Sequence, residues 1–132
     1  MKRLIQLLLV FMLVASYSTT LSQSVYNIYS VKVKIDGVEE DWEKTRGVVR
    51  MEDNEVRLIA GDVDFKVYTI GSYTKDRDYD TSAREYYTAS TWNGLDEDGT
   101  ELVLVLKHFD SGTSQVIFFY SKWNFIIVQL KE

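Results

Sequence analysis

Residues 101–130 read ELVLVLKHFDSGTSQVIFFYSKWNFIIVQL, and this stretch decides the fold. Three apolar runs of strand length are separated by two short clusters of turn residues, Asp110-Ser111-Gly112 and Ser121-Lys122. Connections this short join neighbouring antiparallel strands, because parallel strands need a long crossover. The sequence therefore predicts three consecutive antiparallel strands, at Glu101–Phe109, Thr113–Tyr120 and Trp123–Leu130.

These three strands are apolar on both faces. In the first of them, three leucines alternate with Val103 and Val105, and the other two strands repeat this pattern. A strand that is apolar on both sides is normally covered on both sides. We expect the second cover to come from the rest of the sheet as it curls over itself. A ligand and another chain are the alternatives.

Upstream of this stretch, apolar and polar residues alternate with a period of two, interrupted by clusters of Gly, Asp and Asn. The chain contains no proline and no repeat. This pattern predicts an all-β fold, an antiparallel meander of seven or eight strands that closes as a small barrel or sandwich. The earlier strands are expected at Val25–Ile35, Val48–Glu52, Glu55–Ala60, Phe65–Ser72 and Glu85–Trp92.

The first strand is expected to carry its apolar residues on one face, with Lys32 and Lys34 on the other. That apolar face consists of Val25, Tyr29, Val31, Val33 and Ile35.

The connections between these strands are predicted from their turn residues. Asp36-Gly37 is a hairpin turn by composition, and Asn93-Gly94 together with 96–99 is expected to form a glycine-bearing turn. The polar stretch 75–82 is expected to be the longest loop. For residues 39–46, the sequence leaves a short helix and an irregular loop as open alternatives.

The first 22 residues have the order of charge, apolar run and small residues that an export signal requires. Lys2 and Arg3 precede an apolar run of 12 residues, against about 20 for a permanent membrane helix. We predict a signal peptide at 1–22 and a single all-β domain at 23–132. The protein is then exported, to the periplasm, the outer membrane or the medium, and keeps no transmembrane segment. An uncleaved signal anchor is the alternative.

The composition of the expected mature chain excludes several classes of function. It has 110 residues and no cysteine, so it has no disulfide framework, thiolate metal site or catalytic thiol. Without Lys2 and Arg3 it has 13 basic and 20 acidic residues, a formal charge of −7. A negative surface repels phosphate backbones, so we predict no nucleic-acid partner.

A series of turn and strand signatures runs from Val48 to the end of the chain. It includes Glu52-Asp53-Asn54-Glu55, Phe65-x-Val67-Tyr68, Asp96-Glu97-Asp98-Gly99 and a late Trp123. In this order of features the chain resembles a group of small, signal-bearing, uncharacterised proteins common in Bacteroidetes-type bacteria. The resemblance implies a compact β-protein of the cell envelope, and it carries no known catalytic residues.

The sequence contains no catalytic motif. His108 is the only histidine, so a metal centre of several histidines is excluded. Asp110, Ser111 and Ser114 lie near it, but no G-x-S-x-G turn that would expose a nucleophile occurs. We therefore expect a surface histidine, no enzymatic activity and no cofactor.

Three aspartates have the spacing that opens a calcium loop, Asp76, Asp78 and Asp80. The EF-hand pattern needs Gly at its sixth position and Glu at its twelfth, where this chain has Thr81 and Tyr87. Weak calcium binding and a simple solvated acidic loop remain the two interpretations.

Five aromatic residues flank the same polar stretch, and exposed aromatic rings beside polar groups could stack on sugars. They are Tyr73, Tyr79, Tyr86, Tyr87 and Trp92. The alternative is that these rings pair across strands and stabilise the sheet.

Taken together, these patterns predict a non-enzymatic, exported binding or interaction module of the cell envelope, whose partner is a protein or a glycan. The alternatives are a small barrel that holds a hydrophobic ligand and a glycan-binding module that uses the tyrosines.

Overall fold

The computed structural model describes residues 24–131, which form ten β-strands. The expected signal peptide, 1–22, lies outside the described residues. Within the described range there is no helix that is long and apolar enough to cross a membrane. The strands are β1 Ser24–Ile35, β2 Val38–Glu39, β3 Glu43–Lys44, β4 Gly47–Glu52, β5 Glu55–Ala60, β6 Val63–Asp80, β7 Glu85–Asp96, β8 Glu101–Phe109, β9 Ser114–Ser121 and β10 Asn124–Leu130.

Eight of these strands form one closed antiparallel barrel. Strands β4 to β10 pair in chain order, β1 pairs with β4 at one side, and β10 returns to pair with β1. The closing ladder joins Ile28–Lys34 to Phe125–Leu130. The predicted all-β meander is therefore confirmed, and of the two expected closures the structure has the barrel.

Side chains fill the interior of the barrel. Phe118 lies near its centre, fully buried, and meets the ring of Phe65 edge-on at a centroid distance of 5.5 Å. Eight strands give an interior just wide enough for side chains. The buried core comprises Ile28, Val49, Val56, Leu58, Ala60, Val67, Leu102, Leu104, Leu106, Val116, Phe118, Val128 and Leu130.

The prediction that one face of β1 carries all its apolar residues is wrong. The pairing with β10 shifts register between Ile28 and Ser30, which indicates a β-bulge. A bulge reverses the alternation, so Ile28 points inward before it and Val31 packs against the core after it. Val25 and Tyr29 are consequently exposed.

Of the two alternatives for residues 39–46, the structure has no helix. The segment is irregular at 40–42 and 45–46, while Glu39, Glu43 and Lys44 pair with β1. Strand β4 pairs only with the first part of β1, Ser24–Asn27, and leaves the later part of that edge open. The two-residue strands β2 and β3 pair there with β1 instead, outside the ring. They satisfy backbone groups that the barrel leaves unpaired.

The expected polar loop at 75–82 is also wrong, because β6 continues to Asp80. Residues 74–80 pair with 85–91 of β7, and the turn comprises only 81–84. Strand β5 stops pairing at Tyr68, so the β6–β7 hairpin extends past it with water on both faces. This explains why the segment is polar without being a loop. We call residues 71–80, which pair on one side only, the β6 overhang.

Asn93-Gly94 is a further correction, since both residues lie inside β7 rather than in a turn. Gly94 is buried where β6 and β7 approach closely, and a Cβ on it would lie 2.7 Å from Cγ1 of Val67. The glycine therefore serves close packing. The turn forms just after it, where the amide of Gly99 donates to the carbonyl of Asp96 at 3.0 Å.

Candidate binding surfaces

The outside of β8–β10 carries two rows of apolar side chains. In each row the residues are direct cross-strand partners, so their side chains lie next to one another on the same face. We call these six residues the apolar outer face: Val103, Phe119 and Phe125 in one row, and Val105, Ile117 and Ile127 in the other.

Phe119 lies at the middle of this surface and is 37% exposed. Its ring stacks on that of Phe125, with centroids 6.3 Å apart and planes 16° from parallel. Toward β6 the row continues across Asn93 to Ile70, and a shallow cavity of about 540 Å³ lies along this direction. The apolar outer face therefore combines a stacked aromatic pair with an adjoining groove.

Lysines border the apolar outer face where β10 meets β1. The ammonium of Lys34 lies 5.7 Å from the ring centre of Phe125 and 5.8 Å from that of Trp123. Lys122 lies 4.8 Å from the same Trp123 ring, which is 54% exposed. This border is cationic, and its charges are held close to apolar surface by cation–π contacts.

The outside of β4–β6 has the opposite character. Ion pairs join neighbouring strands there, between Arg57 and Asp64 and between Lys66 and Glu55 (Nζ–Oε1 2.9 Å). The side-chain hydrogen bond from Arg57 holds the pKa of Asp64 below its usual range. We call this surface the charged outer face; its apolar content is the pair Val48 and Ile59.

The five candidate aromatic residues lie on two different faces of the β6–β7 hairpin. Tyr86 and Tyr87 are consecutive in β7, so their side chains point in opposite directions. Tyr87 packs on Phe109 at 5.6 Å, with the ammonium of Lys107 4.4 Å from its ring centre. Burial, together with the nearby carboxylates of Asp78 and Asp80, raises the pKa of Tyr87.

The other four aromatic residues share the second face as two pairs. Tyr73 lies 5.2 Å from Trp92, tilted by 45°, and Tyr79 meets Tyr86 edge-on at 4.9 Å. Trp92 is partly buried against the core. The rings thus form cross-strand pairs, which is the alternative to sugar stacking that the sequence left open. They do not present one common plane.

The three aspartates of the possible calcium site lie along the extended β6 overhang. The carboxylate of Asp80 accepts the amides of Ser82 and Ala83, both at 2.9 Å, and so caps the turn. Asp78 accepts the amide of Tyr79, and Asp76 is exposed. Within residues 24–131 no group of three or more His, Cys, Asp or Glu side chains is placed to hold a metal ion. We propose no calcium site here.

His108 is exposed, and its Nδ1 lies 2.7 Å from the hydroxyl of Ser114. The carboxylate that could complete a triad, Asp110, is instead bound by Arg77 at 2.6 Å. That hydrogen bond lowers the pKa of Asp110. Among residues 24–131, the histidine and serine therefore meet without a carboxylate bonded to the histidine, the group that orients the base in a catalytic triad.

A polar pair that sequence reasoning missed joins β7 to β9. The hydroxyl of Tyr120 donates to Oδ2 of Asp96 at 2.8 Å, and Oδ1 accepts the amides of Asp98 and Thr100. Desolvation opposes ionisation of Asp96, but the hydrogen bonds outweigh it and lower its pKa. Burial, followed by the bond to Asp96, raises the pKa of Tyr120. The Asp-Gly turn was visible in the sequence, and its distant tyrosine partner was not.

The chain matches no protein-family model, no curated protein and no solved structure in the comparisons made with each.

Proposed function

We propose that this protein is an exported, non-catalytic binding module of the cell envelope that docks a protein partner on its apolar outer face. One observation carries the proposal: two adjoining rows of apolar side chains face outward on β8–β10. The described chain forms a single sheet without helices, so it supplies no second layer over them. Large exposed apolar patches typically mark interaction sites.

The border of this surface defines the chemistry of the partner. Lys34 and Lys122 lie at its β10 side, on the rings of Phe125 and Trp123. A partner that fits presents apolar side chains with carboxylates along one edge, because opposite charges at the rim steer association and set orientation. Phe119 and Phe125 are the expected anchors, since exposed aromatic rings dominate interface energetics.

Export is the second part of the proposal, and the charge and apolar pattern of 1–22 supports it. We expect the mature protein in the envelope fraction or the medium to begin at Gln23. Mass spectrometry of its N-terminus checks this. An intact protein that begins at Met1 in the cytosol would contradict it.

The docking surface can be tested by photo-crosslinking. A photoreactive amino acid at position 119, in the apolar outer face, is compared with one at position 57, in the charged outer face. Both are introduced into the full chain expressed in its own cell. We expect one discrete protein adduct from position 119 and none from position 57, with the adduct lost on Ile117→Lys.

Each other outcome of this experiment opposes the proposal. Equal labelling from both positions, or a ladder of many proteins, would show that the apolar outer face has no dedicated partner. An adduct between two copies of this chain would show that the apolar outer face mediates self-association and does not dock a different protein. Circular dichroism of the Ile117→Lys variant provides the control for folding.

A further inference from the structure

The end of the barrel that holds the β1–β2, β5–β6 and β7–β8 turns carries exposed apolar side chains beside its polar turn residues; we call it the lower mouth. Ile35, Val38 and Val63 lie around it and are exposed by 57%, 68% and 53%. Ile35 and Val38 are direct partners across the β1–β2 hairpin, so their side chains share one face. Exposed apolar residues grouped at a barrel mouth are typical of a ligand site.

Two cavities enter the lower mouth, on either side of Val33 and Ile126. These two residues are direct cross-strand partners and line both cavities. The larger cavity, about 470 Å³, is also lined by Ile35 and Tyr120. The smaller one, about 190 Å³, extends toward Leu58 and the barrel core. The larger cavity falls in the size range that small-molecule sites occupy, roughly 300–1,000 Å³.

Carboxylates border only one of these cavities. Glu40, Asp41 and Glu43 line the smaller one, on the segment that carries β2 and β3. Within residues 24–131 the side chains of these three form no ion pair, whereas the neighbouring Glu39 is bound by Lys32 at 2.7 Å. At the lower mouth, the apolar pair Val33 and Ile126 therefore lies beside three carboxylates that form no ion pair within the described part of the chain.

Within residues 24–131, no lysine or arginine lines the smaller cavity that these carboxylates border. Lys34 lines the larger cavity, but its ammonium lies over the rings of Trp123 and Phe125. Both rings lie on the outside of the barrel, and Phe125 belongs to the apolar outer face. The charge that a ligand head group would meet at the smaller cavity is therefore negative.

We infer that the lower mouth binds a small amphiphilic amine. Its apolar body lies on Val33 and Ile126 in the larger cavity, and its ammonium faces Glu40, Asp41 and Glu43. An anionic amphiphile of the same length would place its carboxylate against like charge. Phe125 of the apolar outer face also borders the larger cavity, but none of the five residues assigned to the amine belongs to that face, so the amine site can be tested separately from the proposed docking function.

The experiment uses three probes of equal length, octylamine, octanol and octanoate, titrated into the mature protein with ¹³C-labelled methyl groups. We expect octylamine to shift the methyl signals of Val33 and Ile126 and to bind about fivefold more tightly than octanol. Octanoate is expected to bind most weakly. The double variant Glu40→Gln with Glu43→Gln should reduce the preference for the amine to near unity.

A matched control removes the same charge elsewhere. Asp76→Asn with Asp78→Asn changes two exposed carboxylates of the β6 overhang, and this double variant should keep the full preference for octylamine. Equal binding of octylamine and octanol to the wild type would overturn the assignment of an amine. So would equal loss in both double variants, and failure of every probe to shift Val33 and Ile126 would remove the site itself.

Discussion

The charged outer face on β4–β6 and the apolar outer face on β8–β10 cover the same core yet differ in chemistry. On the inside both halves contribute the same kind of side chain, for example Val56 and Phe118, each nearly or fully buried. On the outside, Arg57 lies in an ion pair and Phe119 lies in an exposed aromatic stack. Closing a barrel requires only that the inward-facing side chains be apolar. The apolar outer face does not contribute to this filled interior, which is why we propose a binding role for it.

The first prediction compares the two sides of a single strand. Phe118→Ala should lower the free energy of unfolding by about 3–5 kcal/mol, because it leaves a cavity in the filled interior. Phe119→Ala, one residue further, should cost about 1 kcal/mol or less, since its ring is partly in water already. Urea denaturation of both variants measures the difference. Similar costs for both would mean that the apolar outer face stabilises the fold, and the functional argument would lose its basis.

The second prediction compares one glycine from each half. A Cβ on Gly47 would overlap the carbonyl oxygen of Ile59 and lie 2.9 Å from Cα of Ala60, both backbone atoms. At Gly94 the nearest atom belongs to the side chain of Val67. Backbone gives way less easily, so Gly47→Ala should cost about 1–3 kcal/mol and Gly94→Ala less. Thermal melting of the two variants checks the order, and the reverse order would contradict the close approach of Gly47 to the backbone of β5.

The third and smallest prediction concerns pH. The lowered pKa of Asp96 means that its ionised form stabilises the fold at a pH above its ordinary value of 3.8. This contribution is lost as the pH falls through the lowered pKa. Tyr120→Phe removes one of the responsible hydrogen bonds and should cost about 1 kcal/mol at neutral pH. The difference from the wild type should shrink toward acid, which urea midpoints at neutral and acidic pH will show. A constant difference would exclude the linkage.

The strands were predictable from the sequence wherever their inward-facing and outward-facing side chains differ in polarity. The two-sided apolar character of 101–130 predicted the closure of the sheet. The expectation that the curled sheet would cover both faces of these strands is wrong, because closing the barrel covers only the inner face. The alternation failed at the β6 overhang, because water lies on both faces there and a polar strand has the composition of a loop. It also failed in β1, where a bulge reverses the faces without any turn residue to mark it.

The candidate sites were less predictable, because they depend on partners that are distant in the chain. The period of a strand alone separates Tyr86 from Tyr87, and this signal was available in the sequence. The approach of Tyr120 to Asp96 depends on the register between strands, and the lower mouth depends on the ladder that closes the barrel and pairs Val33 with Ile126. No local pattern carries that information.

The β6 overhang has a consequence for how the molecule avoids assembling into fibres. Alternate residues of this ten-residue segment present their amide and carbonyl groups on the free edge, which is a template for cross-β growth. Lys75, Asp76, Arg77 and Asp78 place a charge at each successive position, so an incoming strand would desolvate one at every step. The protein can therefore carry both the apolar outer face and an unpaired strand edge. The charges on the β6 overhang oppose the pairing of that edge with strands of other molecules.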